Sequence, residues 1–232
     1  MINNKIILAI DFDDTLSKNN VAREILRKYL QKDYQNILNK YLNGNLSFRE
    51  YQEFCFLSSG LNISEIIEEA KNTGIIRDGF FELLDLIRSF NGEVVIVSAG
   101  LQNYIKPVLQ KSGLNDLEIF SVNTEQPKNS KIIFEYLYSP ETCKGDWAVC
   151  KCYVLQILRK RYNNNVHIIF AGDGSASDYC ASLTADHIIA TGRLVKMLDS
   201  SGYDYIKFDE SFYEINKIVK ELLISYGGKN ID

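Results

Sequence analysis

No basic excess, no long apolar run and no even set of cysteines occur in this chain, and each absence removes a class of protein. Acids outnumber bases by 30 to 26, for a net charge of −4, and no basic run or basic helix stands out. The phosphate-neutralising surface that nucleic-acid binding needs is therefore missing, and a small substrate is expected instead. No hydrophobic stretch approaches the ~18 residues of a membrane span. The first residues lack a basic prefix, an apolar core and a small-residue cleavage site, so no secretory leader is expected. Five cysteines, three of them at 143, 150 and 152, do not make a secreted disulfide framework. They fit thiols in a reducing compartment, and the expected location is the cytoplasm. With only His167 and His187 elsewhere, those cysteines show no clear fourth ligand for a thiolate zinc site. Repeats and low-complexity linkers are also absent.

What is present is a globular composition: 232 residues, 46% hydrophobic, enough for one core and at most a smaller lid. Three apolar runs share a plan. IILAI ends at Asp11, EVVIV at Ser98 and HIIFAG at Asp173. Each is continuous rather than alternating, as a strand buried on both faces must be, and helical stretches lie between them. GFFELLDLIRSF puts Phe80, Leu83, Leu84 and Ile87 on one face; LQNYIKPVLQKSG, CKCYVLQILRKRY and SFYEINKIVKELLISYG also read as helices. Pro107 should either kink its helix or mark that helix's first turn. EIFSVN and DHIIA are shorter strand candidates, GRLVKMLDSSG a helix and YIKF an edge strand. The pattern predicts an α/β fold, a three-layer Rossmann-like parallel sheet. In such a sheet the strand C-termini share one edge, where ligands bind, so Asp11, Ser98 and Asp173 are expected to converge.

The interval from Asp11 to Ser98 exceeds the roughly 30 residues of a single βαβ unit. VAREILRKYLQ, DYQNILNKYLNG, FREYQEFCFLSSG and SEIIEEAKNTG read as three or four amphipathic helices, with capping-box spacing at Ser47/Glu50 and Asn62/Glu65. They predict a small helical cap over residues 17–74, inserted in a catalytic core of residues 1–16 and 75–232. IIRDG, through Arg77, Asp78 and Gly79, is the polar return. Aromatic residues in the cap fit helix packing first and a substrate wall second.

DFDDT, VIVSAG and GDGSASD, in this order and at strand ends, resemble the motifs of the haloacid-dehalogenase-like phosphohydrolases. The insertion, IRDGFFELL and VIVSAG are similar to the phosphoserine-phosphatase-like branch. The cysteine-rich CKGDWAVCKCYVLQIL resembles members near the phosphocholine, pyridoxal-phosphate and methionine-salvage ketopentenyl phosphate phosphatases. The resemblance implies a magnesium-dependent phosphatase acting on a small phosphorylated metabolite. Asp11 would be the nucleophile that forms an aspartyl phosphate, Asp13 the general acid and base, and Thr15 a support for the loop. Ser98, the amides of Ala99 and Gly100, and Lys151 would hold the phosphoryl oxygens, with Lys144 the competing lysine. Mg²⁺ would be held by Asp11, the Asp13 carbonyl, Asp173 and Asp178. Two acids and a phosphate repel one another, so a divalent cation is what the chemistry requires. Asp14 reads as an ordering acid rather than a catalytic one.

At the mouth of the cap, the resemblance puts Asn20 where phosphoserine phosphatases carry an acid, with Glu24 one turn on. That departure leaves the ester open. Two alternatives use the same fold: a phosphomutase or phosphotransferase, which would pass the phosphoryl group to an acceptor, and a non-catalytic metabolite-binding protein.

Overall fold

A computed structural model describes residues 5–143, 145 and 147–226. A seven-stranded sheet runs in the order β4-β3-β2-β1-β5-β6-β7. Its strands are β1 Lys5–Ile10, β2 Glu93–Leu101, β3 Glu118–Glu125, β4 Ile133–Glu135, β5 Val166–Gly172, β6 His187–Ala190 and β7 Ile206–Lys207. All neighbours pair parallel except β4, which lies antiparallel on β3. The continuous apolar runs explain the centre: Ile7, Leu8, Ala9 and Ile10 of β1 and Ile168, Ile169 and Phe170 of β5 are fully buried. A parallel sheet covered by helices on both faces demands such strands. The chain winds outward from β1 through β2 and β3, then crosses back to lay β5, β6 and β7 on the other side. This reversal opens a crevice at the C-terminal ends of β1, β2 and β5.

Four helices separate β1 from β2 before the core resumes: α1 Val21–Leu30, α2 Lys32–Leu42, α3 Phe48–Ser58 and α4 Ile63–Thr73. Both predicted capping boxes form, at Ser47/Glu50 and Asn62/Glu65. The chain enters and leaves this insertion side by side. Ser17 bridges Ile76, the Lys18 amide donates to the Ile75 carbonyl at 2.8 Å, and the Arg77 amide donates to the Leu16 carbonyl at 2.8 Å.

The remaining helices are α5 Phe80–Ser89, α6 Gln102–Lys111, α7 Lys151–Arg161, α8 Ser177–Ser182, α9 Gly192–Ser201 and α10 Asn216–Ser225. Phe80, Leu83, Leu84 and Ile87 are buried together, as their spacing predicts. Helix α6 is continuous through Pro107, so its first turn precedes the proline; only the bond to the Asn103 carbonyl is forfeited. The C-terminal segment is broken rather than a single helix, with a 3-10 turn at Phe212–Glu214 closed by a Ser211/Glu214 capping box before α10. Among the described residues, no helix is long and apolar enough to cross a membrane.

Candidate active site

Directly after β1 the chain makes a wide turn over Phe12–Leu16, with the Leu16 and Ser17 amides donating to the Asp11 and Phe12 carbonyls. Asp13 stays extended and Asp14 adopts a left-handed φ of 60°. An aspartate tolerates that region better than most side chains, which accounts for a third acid in the cluster. Asp14 forms a two-pronged ion pair with Arg23, at 3.0 Å on each arm. The turn is clamped from below by Arg77, 8% exposed, whose guanidinium donates to the Thr15 and Asp14 carbonyls at 2.6 Å and to the Glu210 carbonyl at 3.1 Å.

Asp11 and Asp178 flank one buried ammonium: Lys151 Nζ lies 2.5 Å from Asp11 Oδ1 and 2.5 Å from Asp178 Oδ1. Lys151 is the first residue of α7 and 3% exposed. The alternative, Lys144, lies outside the described residues. Burial alone would depress the Lys151 ammonium, but the two carboxylates outweigh it and hold its pKa raised. For Asp11, burial prevails over Lys151 and the carboxyl is raised. For Asp178, burial is overcome by Lys151 and by backbone donors, and the carboxyl is lowered. Those donors are the Asp173 and Gly174 amides, which reach Asp178 Oδ2 at 3.0 and 2.7 Å and so fold the loop after β5 around it.

The second acid of the turn has different surroundings. Asp13 Oδ1 accepts from the Val21 amide at 2.7 Å, and Oδ2 accepts from the Tyr104 hydroxyl at 2.5 Å. Burial raises its pKa to about 6 against the pull of these donors. Asp13 is thus held where it can exchange a proton near neutral pH, a property suited to acid and base work. Tyr104 is 1% exposed, and a Cβ on Gly100 would meet its hydroxyl at 1.8 Å, so only glycine fits there. No pattern in the sequence marks Tyr104; it occupies an ordinary inward position of α6.

Ser98 sits within β2, where register against β3 shifts between Val97 and Leu101. The Gly100 amide donates to Ser98 Oγ at 3.1 Å, leaving the hydroxyl hydrogen free to be donated elsewhere. The Ala99 carbonyl accepts from Gln52 Nε2 at 2.8 Å, so helix α3 of the insertion reaches into the site. Gln52, like Tyr104, has no signature in the sequence.

Asp11, Asp173 and Asp178 bring carboxylate oxygens within 4.8 Å of one another. Burial, then the charges of Asp178 and Asp14, push Asp173 up to about 7. Hard oxygen donors crowded at the cost of their own ionisation fit a divalent cation, which would relieve that crowding. Thr15 Oγ1 lies 3.3 Å from Asp11 Oδ2 and 3.5 Å from Asp173 Oδ1, tying the first and last motifs together.

Above these groups is a cavity of about 500 Å³ walled by the insertion. Tyr34, Tyr41, Phe48 and Tyr51 face it, Trp147 closes one side, and Arg23, Arg27 and Arg193 border it. Asn20 also lines it, but its side-chain oxygen caps α1 through the Arg23 amide at 2.8 Å and its nitrogen lies 3.5 Å from Asp14 Oδ2. Glu24 is not in the wall and is exposed: α1 turns Ala22, Arg23 and Leu26 inward, and Glu24 falls outside that arc.

A sheet edge that gathers acids, a hydroxyl and one buried ammonium under a shaped cavity belongs to the metal-dependent enzymes of phosphoryl transfer. The model for "haloacid dehalogenase-like hydrolase" matches residues 8–183, and this chain belongs to that family. It is 29% identical over 216 residues to a Bacillus cereus 2-hydroxy-3-keto-5-methylthiopentenyl-1-phosphate phosphatase, covering 92% of this chain and 95% of that one. A phosphoserine phosphohydrolase-like protein from Francisella tularensis superposes with a TM-score of 0.67 at 22% identity, over 93% of this chain and 99% of that one. A phosphoserine phosphatase in a phospho-aspartyl intermediate analogue gives 0.68 at 21%, with coverage of 93% and 99%. At that identity the likeness to the two structures is one of fold. Family and site together make the protein a metal-dependent phosphatase that works through an aspartyl phosphate on a small phosphorylated substrate.

Proposed function

We propose that Asp11 attacks the phosphorus of a small phosphate monoester, and that Asp13 protonates the departing alcohol and then takes a proton from the water that hydrolyses the aspartyl phosphate. The observation that carries this is the contrast between the two acids. Asp11 Oδ1 contacts the Lys151 ammonium on the cavity floor, whereas Asp13 is held by Tyr104 and Val21 with a pKa near 6. A nucleophile needs a neighbouring positive charge to receive an anionic substrate, and an acid–base group needs a pKa near the working pH. Lys151 brings positive charge to the phosphoryl oxygens, Ser98 donates its free hydroxyl hydrogen, and the amides of Ala99 and Gly100 border the same spot. Mg²⁺ is the cation that the oxygen donors of Asp11, Asp173 and Asp178, with the Asp13 carbonyl, fit best. When bound it would offset the charge that nucleophile and phosphate bring together.

Residues 17–74 act as a cap over a core of residues 1–16 and 75–232, excluding water and selecting the ester. Its aromatic wall suits a leaving group with an apolar part, and the cytoplasm is the compartment in which it works. The name of the Bacillus relative makes 2-hydroxy-3-keto-5-methylthiopentenyl 1-phosphate the first ester to try. Phosphate release should be followed over that compound, phosphoserine, phosphoethanolamine, phosphocholine, pyridoxal phosphate and sugar phosphates, with Mg²⁺ and with chelator and no acceptor. Hydrolysis of none of them, or turnover that needs an acceptor alcohol, would sink the proposal.

A further inference from the structure

The cysteines that the phosphatase chemistry leaves unused form a file of sulfurs. Cys152 Sγ lies 3.3 Å from Cys150 Sγ and 3.1 Å from Cys180 Sγ. Cys180 is exposed, Cys152 half-buried and Cys150 buried, so the file runs from the surface inward. Sequence spacing does not reveal the part of Cys180, which lies 28 residues from Cys152. A tetrahedral zinc thiolate site would need every sulfur pair about 3.8 Å apart, from a Zn–S distance of about 2.3 Å. Among the described residues, Asp11, Asp173 and Asp178 are the only three such ligands whose atoms all lie within 4.8 Å of one another, so the cysteines do not close into such a shell. A file suits disulfide chemistry.

Position gives this file its consequence. Cys152 follows Lys151 at the start of α7, and Cys180 lies two residues beyond Asp178 in α8. Lys151 and Asp178 are in contact at 2.5 Å. We propose that Cys152 and Cys180 form a reversible disulfide, with Cys180 the thiol that meets the oxidant, and that this bond switches the phosphatase site off. The switching rests on the roles assigned above to Lys151 and Asp178; the bond itself does not.

With a small-molecule disulfide as oxidant, the Cys180 thiolate attacks one sulfur, forming a mixed disulfide and releasing one thiol. Cys152 gives up its proton and attacks the Cys180 sulfur, releasing the second thiol. Two protein thiols lose two electrons and two protons, and the reagent disulfide becomes two thiols. Closing from 3.1 Å to an S–S bond of about 2.05 Å draws the start of α7 and the middle of α8 together by about 1 Å. A displacement of that size at a catalytic group costs on the order of 10²-fold in rate. Cys150 is a poorer partner: burial pushes its thiol up to about 12, and one intervening residue separates it from Cys152.

The full-length protein should be equilibrated with oxidised glutathione or with dithiothreitol, then read by intact mass, by mapping of alkylated peptides and by phosphomonoesterase rate. Oxidation should lower the mass by about 2 Da, join the peptides bearing Cys152 and Cys180, and cut turnover at least about tenfold, with recovery in dithiothreitol. Cys180→Ser, an exposed substitution, should keep its rate under both conditions. A glutathione adduct on Cys180 without the cross-link overturns the proposal. So does a cross-link that leaves turnover unchanged, or stoichiometric zinc in protein purified without chelator. A reduced protein that hydrolyses no phosphomonoester would instead defeat the phosphatase assignment of Lys151 and Asp178, while the mass still reports whether the bond forms.

Discussion

Asp11 and Asp13 stand two residues apart, yet their surroundings differ, and the roles proposed for them differ accordingly. Asp11→Asn should remove the covalent step, and Asp13→Asn should cut turnover by about 10²–10⁴-fold, as loss of a general acid does; steady-state kinetics with the best ester checks both. Asp14→Asn loses only part-exposed contacts to Arg23 and should change stability by no more than about 1 kcal/mol, with a small effect on rate. Under the role proposed for Asp13, which starts protonated to serve the leaving alcohol, kcat/KM should fall as pH rises through about 6. Tyr104→Phe removes a donor that favours the ionised carboxylate, so this limb should move to higher pH; an unmoved profile would deny Tyr104 its effect on Asp13. The two acids, Ser98 and Asp173 were legible because reactive residues at the ends of apolar runs are conspicuous. Tyr104 and Gln52 were not, since each is chemically ordinary for an inward helical position. Glu24 misled for a related reason: one helical turn from Asn20 fixes its distance, but the direction α1 faces depends on packing.

At the scale of elements, the wide turn after β1 and the paired passages into the insertion are held by Arg77. Arg77→Ala would leave the carbonyls of Thr15, Asp14 and Glu210 without their partner. The Thr15 carbonyl is buried and its loss of a partner costs roughly 1–3 kcal/mol, while the part-buried carbonyls of Asp14 and Glu210 can turn to water, so the substitution should lower urea stability by about 1–3 kcal/mol and slow turnover by loosening Asp13. Arg77→Lys should rescue it only in part, because one ammonium cannot span three acceptors. Ser47→Ala at the start of α3 should cost about 1 kcal/mol in the same measurement, as removal of an N-cap does. The helices and their caps were readable from periodicity and from Ser47/Glu50 and Asn62/Glu65. The antiparallel β4 was not, being three residues of edge strand whose pairing depends on β3.

Over the whole molecule, the acid cluster sets how stability responds to pH and metal. Asp13 and Asp173 are raised from the ordinary carboxylate value of 3.8 to about 6 and about 7. Between about pH 4 and 7 the metal-free folded protein therefore binds more protons than the unfolded chain, and its stability falls as pH rises through that window. Chelated protein should lose Tm between pH 5 and pH 8 in scanning calorimetry. Saturating Mg²⁺ should raise Tm by several degrees, and more at the higher pH, because the cation binds the ionised carboxylates. A Tm that ignores both pH and metal would contradict that cluster as a cation site. The sequence by itself determined the α/β class and the helical insertion, and it marked the acids proposed to react, because buried parallel strands and helix caps are written in local runs of residues. Tertiary structure alone decided that Lys151 bridges Asp11 and Asp178, that Tyr104 holds Asp13, that α1 turns Glu24 outward and that Cys180 joins Cys152. Each of these depends on how separate elements meet, and the spacing of residues along a chain carries no record of that.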